Sequence, residues 1–180
     1  MSILKFLGLS DLDGVPGRST PETDTVRKIT EALDRLDPEL ARFIAAFAYL
    51  MSRVANADMN ISPEETRVME RLVIDRAGLT EAQAILVVQM AKTQNLLFGG
   101  VENFLVTREF GRIATHEQKV ALLDCLFAVS STDESIVSAE DTEIRKIASE
   151  LYLSHQEFVD VKSRYRRYLE VLKKRPGSPD

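Results

Sequence analysis

The sequence has no tryptophan, a single cysteine and only two histidines among its 180 residues. One cysteine can form neither a disulfide within the chain nor a cysteine cluster for a metal. Cys125 lies in the stretch 122–127, which is apolar apart from Asp124. This setting predicts a small buried side chain. With His116 and His155 as the only histidines, a Ser-His-Asp or Cys-His catalytic centre lacks candidates. Each histidine directly follows a predicted helix N-cap, which favours a neutral surface residue over a ligand.

Long apolar runs and an excess of positive charge are also absent. No apolar run approaches the roughly 20 residues that a transmembrane helix needs, and residues 2–9 are too short for a secretory signal. Gly99-Gly100 lacks the preceding strand and the following Lys-Ser or Lys-Thr of a phosphate-binding loop. The 23 basic residues against 28 acidic residues give a net charge of −5, which disfavours nucleic acid as a partner. The sequence therefore predicts a cytoplasmic protein.

Helix-capping signals divide the chain into predicted helices. Three begin at a polar residue followed by proline, a pattern typical of a first helical turn; they are Thr20-Pro21, Asp37-Pro38 and Ser62-Pro63. The other predicted starts are Thr80, Thr115, Ser138 and Ser154, with one further helix over roughly residues 101–113. The helix after Thr80 has apolar residues on nearly every side, so we predict that it is the central buried helix. Strand-type alternation is absent over any useful length, and the predicted class is all-α, a compact array of about seven to eight helices.

The same helix-capping signals indicate the domain organisation. Residues 1–20 are predicted to be a flexible leader, residues 21–172 a helical domain, and residues 173–180 a flexible basic tail. Seven basic residues near the C-terminus face one acid, Glu170, for a local charge of +6; they are Lys162, Arg164, Arg166, Arg167, Lys173, Lys174 and Arg175. They either complement a helix dipole on a solvated surface or contact anionic lipid headgroups or an acidic partner.

A shift of 75 residues aligns two helix-turn-helix hairpins, at about residues 40–78 and 116–153. The aligned acidic turns pair Asp58 with Asp133, Ile61 with Ile136, and Glu65 with Glu140. The aligned apolar positions pair Phe47 with Leu122, Met51 with Leu126, Val54 with Val129, Met69 with Ile144, Leu72 with Ile147 and Val73 with Ala148. Helix packing explains the apolar pairs but not the Asp-Ile-Glu triplet. The alignment therefore predicts an internal duplication of the hairpin.

The two triplets place acids at both ends of each turn. Asp58 and Asp133 come where an upstream helix ends, and the helix dipole disfavours a negative charge there by about 0.3–1 kcal/mol. Glu65 and Glu140 come in the first turn of the downstream helix, where the dipole favours them. Each Asp either accepts backbone N–H groups in the turn or binds a cation. Oxygen ligands suit Ca²⁺ or Mg²⁺, although Pro63 stands where an EF-hand loop needs glycine.

The Asp, Ile and Glu pattern followed by an amphipathic helix resembles the TerB family of tellurite-resistance proteins. The matching stretches are residues 54–65, 104–108, 129–141, 144–148 and 153–158, and the resemblance covers roughly residues 40–162. The family usually has Asp-Gly at each turn, whereas this chain has Asp58-Met59 and Asp133-Glu134. These departures indicate either a different turn geometry or a weakened acidic site.

The resemblance implies a small, non-enzymatic helical protein linked to resistance to tellurite and other stresses. Its acidic positions correspond to Asp58, Glu65, Asp133 and Glu140, as ligands of a divalent cation such as Ca²⁺ or Mg²⁺. It also implies protein partners in the cytosol and at the membrane, and hence a cytoplasmic location that includes the inner face of the membrane. The residues alone leave a second hypothesis open, a protein-interaction scaffold in which the acids are only caps and no metal binds.

Overall fold

The computed structural model describes residues 28–29, 31–55, 63–92, 103–132 and 134–169. Within these ranges the α-helices are α1 (Pro38–Ala55), α2 (Pro63–Ala77), α3 (Glu81–Lys92), α4 (Asn103–Ile113), α5 (His116–Ser130), α6 (Ser138–Glu150) and α7 (His155–Ser163). Residues 28–29 and 31–34 are also helical, and a 3₁₀ helix at Arg166–Tyr168 follows α7. The part described contains no strand, only a parallel bridge between Ile136 and Leu169. The predicted all-α class is confirmed.

Side-chain caps set several of the helix starts where the sequence predicts them. Thr115 and Gln118 form a capping box, in which the Gln118 N–H donates to Thr115 Oγ1 at 3.3 Å and the Thr115 N–H donates to Gln118 Oε1 at 2.8 Å. The same exchange occurs between Thr80 and Gln83 before α3. Further predicted caps are present at Asp37, which accepts the Glu39 N–H, and at Ser154, which accepts the Glu157 N–H. These predicted starts are confirmed. They could be predicted because capping depends on residues within about three positions of each other.

The predicted cap at Ser138 is wrong by one residue. Val137 is the N-cap of α6, with an extended backbone at φ −77° and ψ 159°, and Ser138 is already helical. The Ile136 N–H donates to the Tyr168 carbonyl at 2.7 Å, so the extended conformation continues through Val137. Glu140 Oε2 then accepts the Val137 N–H at 2.9 Å, which is one half of a capping box; the valine side chain has no acceptor for the other half.

Among the described helices, α1 is the most extensively packed against its neighbours, and the prediction that the helix after Thr80 is central is wrong. Helix α1 packs against α3, α4, α5 and α6, whereas α3 packs mainly against α1 and α2. Four alanines of α1 are fully or almost fully buried, namely Ala41, Ala45, Ala46 and Ala48. Their small side chains let neighbouring helices approach α1 from several directions. The prediction for α3 rested on its apolar content, which does not show how many helices pack against it. On one side of α1, Phe43 stacks on Phe110 of α4, and Phe47 contacts Phe110 edge to face.

Helices α2 and α6 end in the same way. Gly78 follows α2 at φ 66°, and Tyr152 follows the C-cap of α6 at φ 59°. Each left-handed residue precedes a leucine that is 8% exposed, Leu79 or Leu153, and then a capped helix. The residues of the six apolar pairs are also buried in both hairpins, apart from the half-buried Leu72. The internal duplication stays a prediction, to which this shared geometry adds support.

The left-handed conformation at Tyr152 should cost stability, because a β-carbon disfavours it. Tyr152 is 91% exposed, so replacing it with glycine loses little packing. We expect Tyr152→Gly to raise the free energy of unfolding by about 0.5–1 kcal/mol. Gly78→Ala makes the opposite change at the matching position and should lower it by about 1 kcal/mol. Urea unfolding curves of both variants test this, and destabilisation by Tyr152→Gly would contradict it.

Several predicted features lie outside the described residues. They are the 1–20 leader, the helix start at Thr20-Pro21, the acids Asp58 and Asp133, the cap at Ser62, Gly99-Gly100 and the 173–180 tail. Glu65 belongs to the first turn of α2 by its backbone, and its side chain is likewise outside the description.

Candidate functional site

The turn between α5 and α6 is the part of the predicted acidic site that the structure describes. After α5, the Ser131 and Thr132 hydroxyls donate to the carbonyls of Ala128 and Val129, at 2.8 and 2.7 Å. The chain then reverses at Glu134, whose φ of 57° is left-handed. These bonds satisfy carbonyls that α5 leaves without a helical partner, so the end of α5 is firmly closed immediately before position 133.

Glu140 is the one predicted ligand whose side chain is described. Its Oε2 accepts the Val137 N–H at 2.9 Å, so Glu140 acts as a helix cap. A carboxylate has capacity for more than one such contact, and capping therefore leaves coordination chemically feasible. Among the described residues no group of three or more His, Cys, Asp or Glu side chains is arranged to hold a metal ion.

Glu134 stands where the family pattern has glycine. Its backbone conformation bears on whether this departure changes the geometry of the turn. Left-handed φ is the conformation that glycine adopts without cost. Glu134 adopts it as well, at φ 57°, and its N–H donates to the Ser131 carbonyl at 3.0 Å. Glutamate at this position is therefore compatible with a left-handed reversal of the chain.

A buried arginine joins the two hairpins, and the sequence did not indicate it. The side chain of Arg53, in the last turn of α1, is only 3% exposed. Its Nε donates to Glu143 Oε1 at 2.8 Å, and one terminal nitrogen donates to Thr107 Oγ1 at 2.7 Å and to Glu150 Oε2 at 3.0 Å. We call these four residues the Arg53 network. It connects α1, α4 and α6.

The comparisons with known proteins concern the same region. A family model described as tellurite resistance protein TerB matches residues 43–163, which is well over half of the chain. The chain belongs to the TerB family. No curated protein and no solved structure gave a match. The TerB match spans α1 to α7, so it includes the Arg53 network and both predicted acidic turns.

In this TerB chain, Thr107 gives a structural reason for the 104–108 stretch that resembles the family. Thr107 is fully buried, and its hydroxyl oxygen accepts from Arg53. Burial would raise the pKa of Glu150, but hydrogen bonds from Arg53 and Thr107 and the charge of Arg53 together lower this pKa below its ordinary value. The network therefore holds Glu150 in its charged form.

A second buried charge lies in α5 of the TerB domain. The Asp124 side chain is 9% exposed and forms ion pairs with Arg76 of α2 and, at 3.3 Å, with Arg164. The Tyr165 hydroxyl donates to Asp124 Oδ1 at 2.9 Å, and the Tyr165 ring stacks on Phe127 at a centroid distance of 5.7 Å. Burial raises the pKa of Tyr165, against the lowering effect of Arg76. We call this group the Asp124 network, and it fixes the segment after α7.

The cysteine is buried in the core, and the two histidines lie at helix starts. Burial raises the pKa of Cys125 to about 12, so the thiolate that cysteine chemistry needs is scarce; its predicted burial is confirmed. His116 and His155 both directly follow an N-cap, as predicted. His116 Nε2 lies 2.5 Å from Glu157 Oε1, which joins the starts of α5 and α7. None of the described helices has the length and apolar character needed to cross a bilayer.

Proposed function

We propose that this chain is a non-enzymatic TerB module that binds a divalent cation, Ca²⁺ or Mg²⁺, at its acidic turns and recruits protein partners. The proposed ligands are Asp58, Glu65, Asp133 and Glu140. Family membership supports the module, and the duplicated carboxylates supply the oxygen atoms that these hard cations prefer. The proposal includes a cytoplasmic location, in part at the inner face of the membrane, and a role in resistance to tellurite and related stresses.

The observation that carries this proposal is the contact between Arg53 and Glu143. Arg53 Nε lies 2.8 Å from Glu143 Oε1. Arg53 precedes Asp58 by five residues, and Glu143 follows Glu140 by three. The last turn of α1 is therefore held against α6, where Arg53 contacts both Glu143 and the final residue Glu150. This contact between the two hairpins supports a site in which carboxylates from both share one cation, which would relieve their mutual repulsion.

Calorimetric titration with Ca²⁺, Mg²⁺, Mn²⁺ and Zn²⁺ tests the cation. We expect saturable binding by the wild type and at least a tenfold loss of affinity in Asp58→Asn/Asp133→Asn. The matched control is Asp34→Asn/Asp75→Asn, which removes the same charge from two exposed positions and should bind as the wild type does. No heat with any of the four metals, or an equal loss in both double variants, would refute the cation site.

A protein-interaction scaffold without metal is the second candidate, because Glu140 already acts as a cap. Glu140→Gln separates the two functions. Glutamine keeps an oxygen that can accept the Val137 N–H, so the cap survives while the negative charge is lost. On the cation proposal, Glu140→Gln weakens metal binding and hardly changes the unfolding midpoint measured without metal. On the scaffold alternative, the wild type binds no metal, and partner capture does not depend on the charge at this position.

A further inference from the structure

The chain turns after α7 and presents three arginines on one short segment. Arg164 is the C-cap of α7, and Arg166 and Arg167 open the 3₁₀ helix. The flanking Tyr165 and Leu169 are buried, whereas all three arginines are exposed. The segment lines an open cleft of about 640 Å³, which we call the arginine cleft. Its lining residues are Ser163, Arg164, Arg166 and Arg167.

Within the described part of the chain, ion pairs neutralise only part of the positive charge of the arginine cleft. Within the described ranges, Arg166 and Arg167 form no ion pair with a carboxylate. Arg164 lies 3.3 Å from Asp124 Oδ1, but Asp124 also pairs with Arg76. A single carboxylate therefore faces two arginines, and the charge that remains favours an anionic ligand.

The backbone that carries these arginines is fixed on both sides. The Tyr165 hydroxyl donates to Asp124 Oδ1, and its ring stacks on Phe127. On the other side, the Tyr168 carbonyl accepts the Ile136 N–H at 2.7 Å. Because this segment is already ordered, a ligand need not pay the entropic cost of ordering it.

The chemistry of the cleft matches a phosphate group. The guanidinium group is a planar fork that binds two phosphate oxygens at once. A phosphate monoester carries about −1.5 to −2 charge at pH 7 and three strong acceptor oxygens, so it can engage several guanidinium groups, whereas a carboxylate carries one charge on two oxygens. We infer that the arginine cleft binds a phosphate monoester through Arg164, Arg166 and Arg167.

Titration of the full chain with inorganic phosphate and with glycerol 3-phosphate, followed by the arginine side-chain N–H signals in NMR spectra, tests this inference. We expect saturable shifts at the three arginines, and binding at least tenfold weaker in Arg166→Gln/Arg167→Gln. The matched control is Arg67→Gln/Arg71→Gln, which removes two exposed arginines from α2 and should change the affinity less than twofold. Equal weakening in both pairs, or shifts that do not saturate, would overturn the inference.

The source of the phosphate is decided by a second arm, co-sedimentation with phosphatidylcholine vesicles that contain or lack phosphatidate. Phosphatidate-dependent binding that Arg166→Gln/Arg167→Gln abolishes identifies a lipid headgroup, and binding of the free phosphates alone identifies a soluble monoester. Either result supports the cleft, while undiminished binding of the double variant in both arms overturns it. None of these variants changes an acidic-turn residue, so the inference stands or falls independently of the proposed cation site.

Discussion

Replacing Arg53 with methionine is expected to lower the free energy of unfolding by about 3 kcal/mol, because it leaves two carboxylates without their buried partner. Arg53 is only 3% exposed, and Glu143 and Glu150 are 29% and 16% exposed. Partial exposure lets water rehydrate the two acids, so the loss should fall at the lower end of the range for breaking a buried ion pair. Urea unfolding followed by far-ultraviolet circular dichroism at pH 7 measures it.

Two further variants separate the ion pairs from general effects of losing an arginine. Arg71→Met removes an exposed arginine of α2 and should change stability by less than about 0.5 kcal/mol. Adding Glu143→Gln and Glu150→Gln to Arg53→Met should restore part of the lost stability, since the unpaired charges are then gone. If Arg53→Met costs no more than Arg71→Met, the network does not stabilise the fold.

The same network predicts a pH dependence. The pKa of Glu150 is lowered in the folded chain, where Arg53 and Thr107 outweigh the effect of burial. A lowered pKa means that its stabilising contribution is fully present above the unfolded value of about 4.3 and is lost as the pH falls through the folded value. Without Arg53, burial should raise this pKa instead. The stability difference between wild type and Arg53→Met should therefore be smaller at about pH 4 than at pH 7.

Replacing Asp124 with leucine is expected to lower the free energy of unfolding by about 2–3 kcal/mol. The change leaves Arg76 without its ion pair and deprives the Tyr165 hydroxyl of one hydrogen bond at 2.9 Å. Arg76 is 35% exposed and can be hydrated, which keeps the cost below that of a fully buried broken pair. Thermal and urea unfolding give the value.

Matched variants test whether Asp124 or its partners carry this effect. Arg164→Met removes the most exposed partner and should cost no more than about 0.5 kcal/mol. Tyr165→Phe removes one hydroxyl and should cost about 1 kcal/mol. An Asp124→Leu variant as stable as Arg164→Met would mean that the buried carboxylate contributes no more than a surface ion pair.

The helical class and most helix starts could be predicted because their determinants are local. Thr115 with Gln118, and Ser154 with Glu157, are each three residues apart. Val137 escaped prediction because its role as N-cap depends on the bond between Ile136 and Tyr168, which are distant in sequence. The extensive packing of α1 was not predicted either, because it depends on small alanines that let other helices pack closely and not on how apolar the helix is.

The two charged networks could not be predicted because their partners are far apart along the chain. Arg53 and Glu150 are separated by 97 residues, and Arg76 and Tyr165 by 89. Local patterns of spacing carry no information about such pairs. One signal was available in the sequence: Asp124 interrupts the apolar run 122–127, and a charged residue in such a run is rarely buried without a partner. Of the four predicted acidic ligands, Glu140 is the one whose side chain is described, and it lies in the first turn of α6, as predicted.

The bridge between Ile136 and Leu169 has a consequence for the order in which the protein folds during synthesis. Ile136 is 2% exposed, and its N–H bonds to the Tyr168 carbonyl. Ribosomes make α5 and α6 well before Tyr168, so in the growing chain this amide lacks its partner. A buried amide without a partner costs about 1–3 kcal/mol. The turn that holds Asp133 should therefore remain in exchange with water until the C-terminal segment docks, and become one of the last regions of the nascent chain to reach its native form.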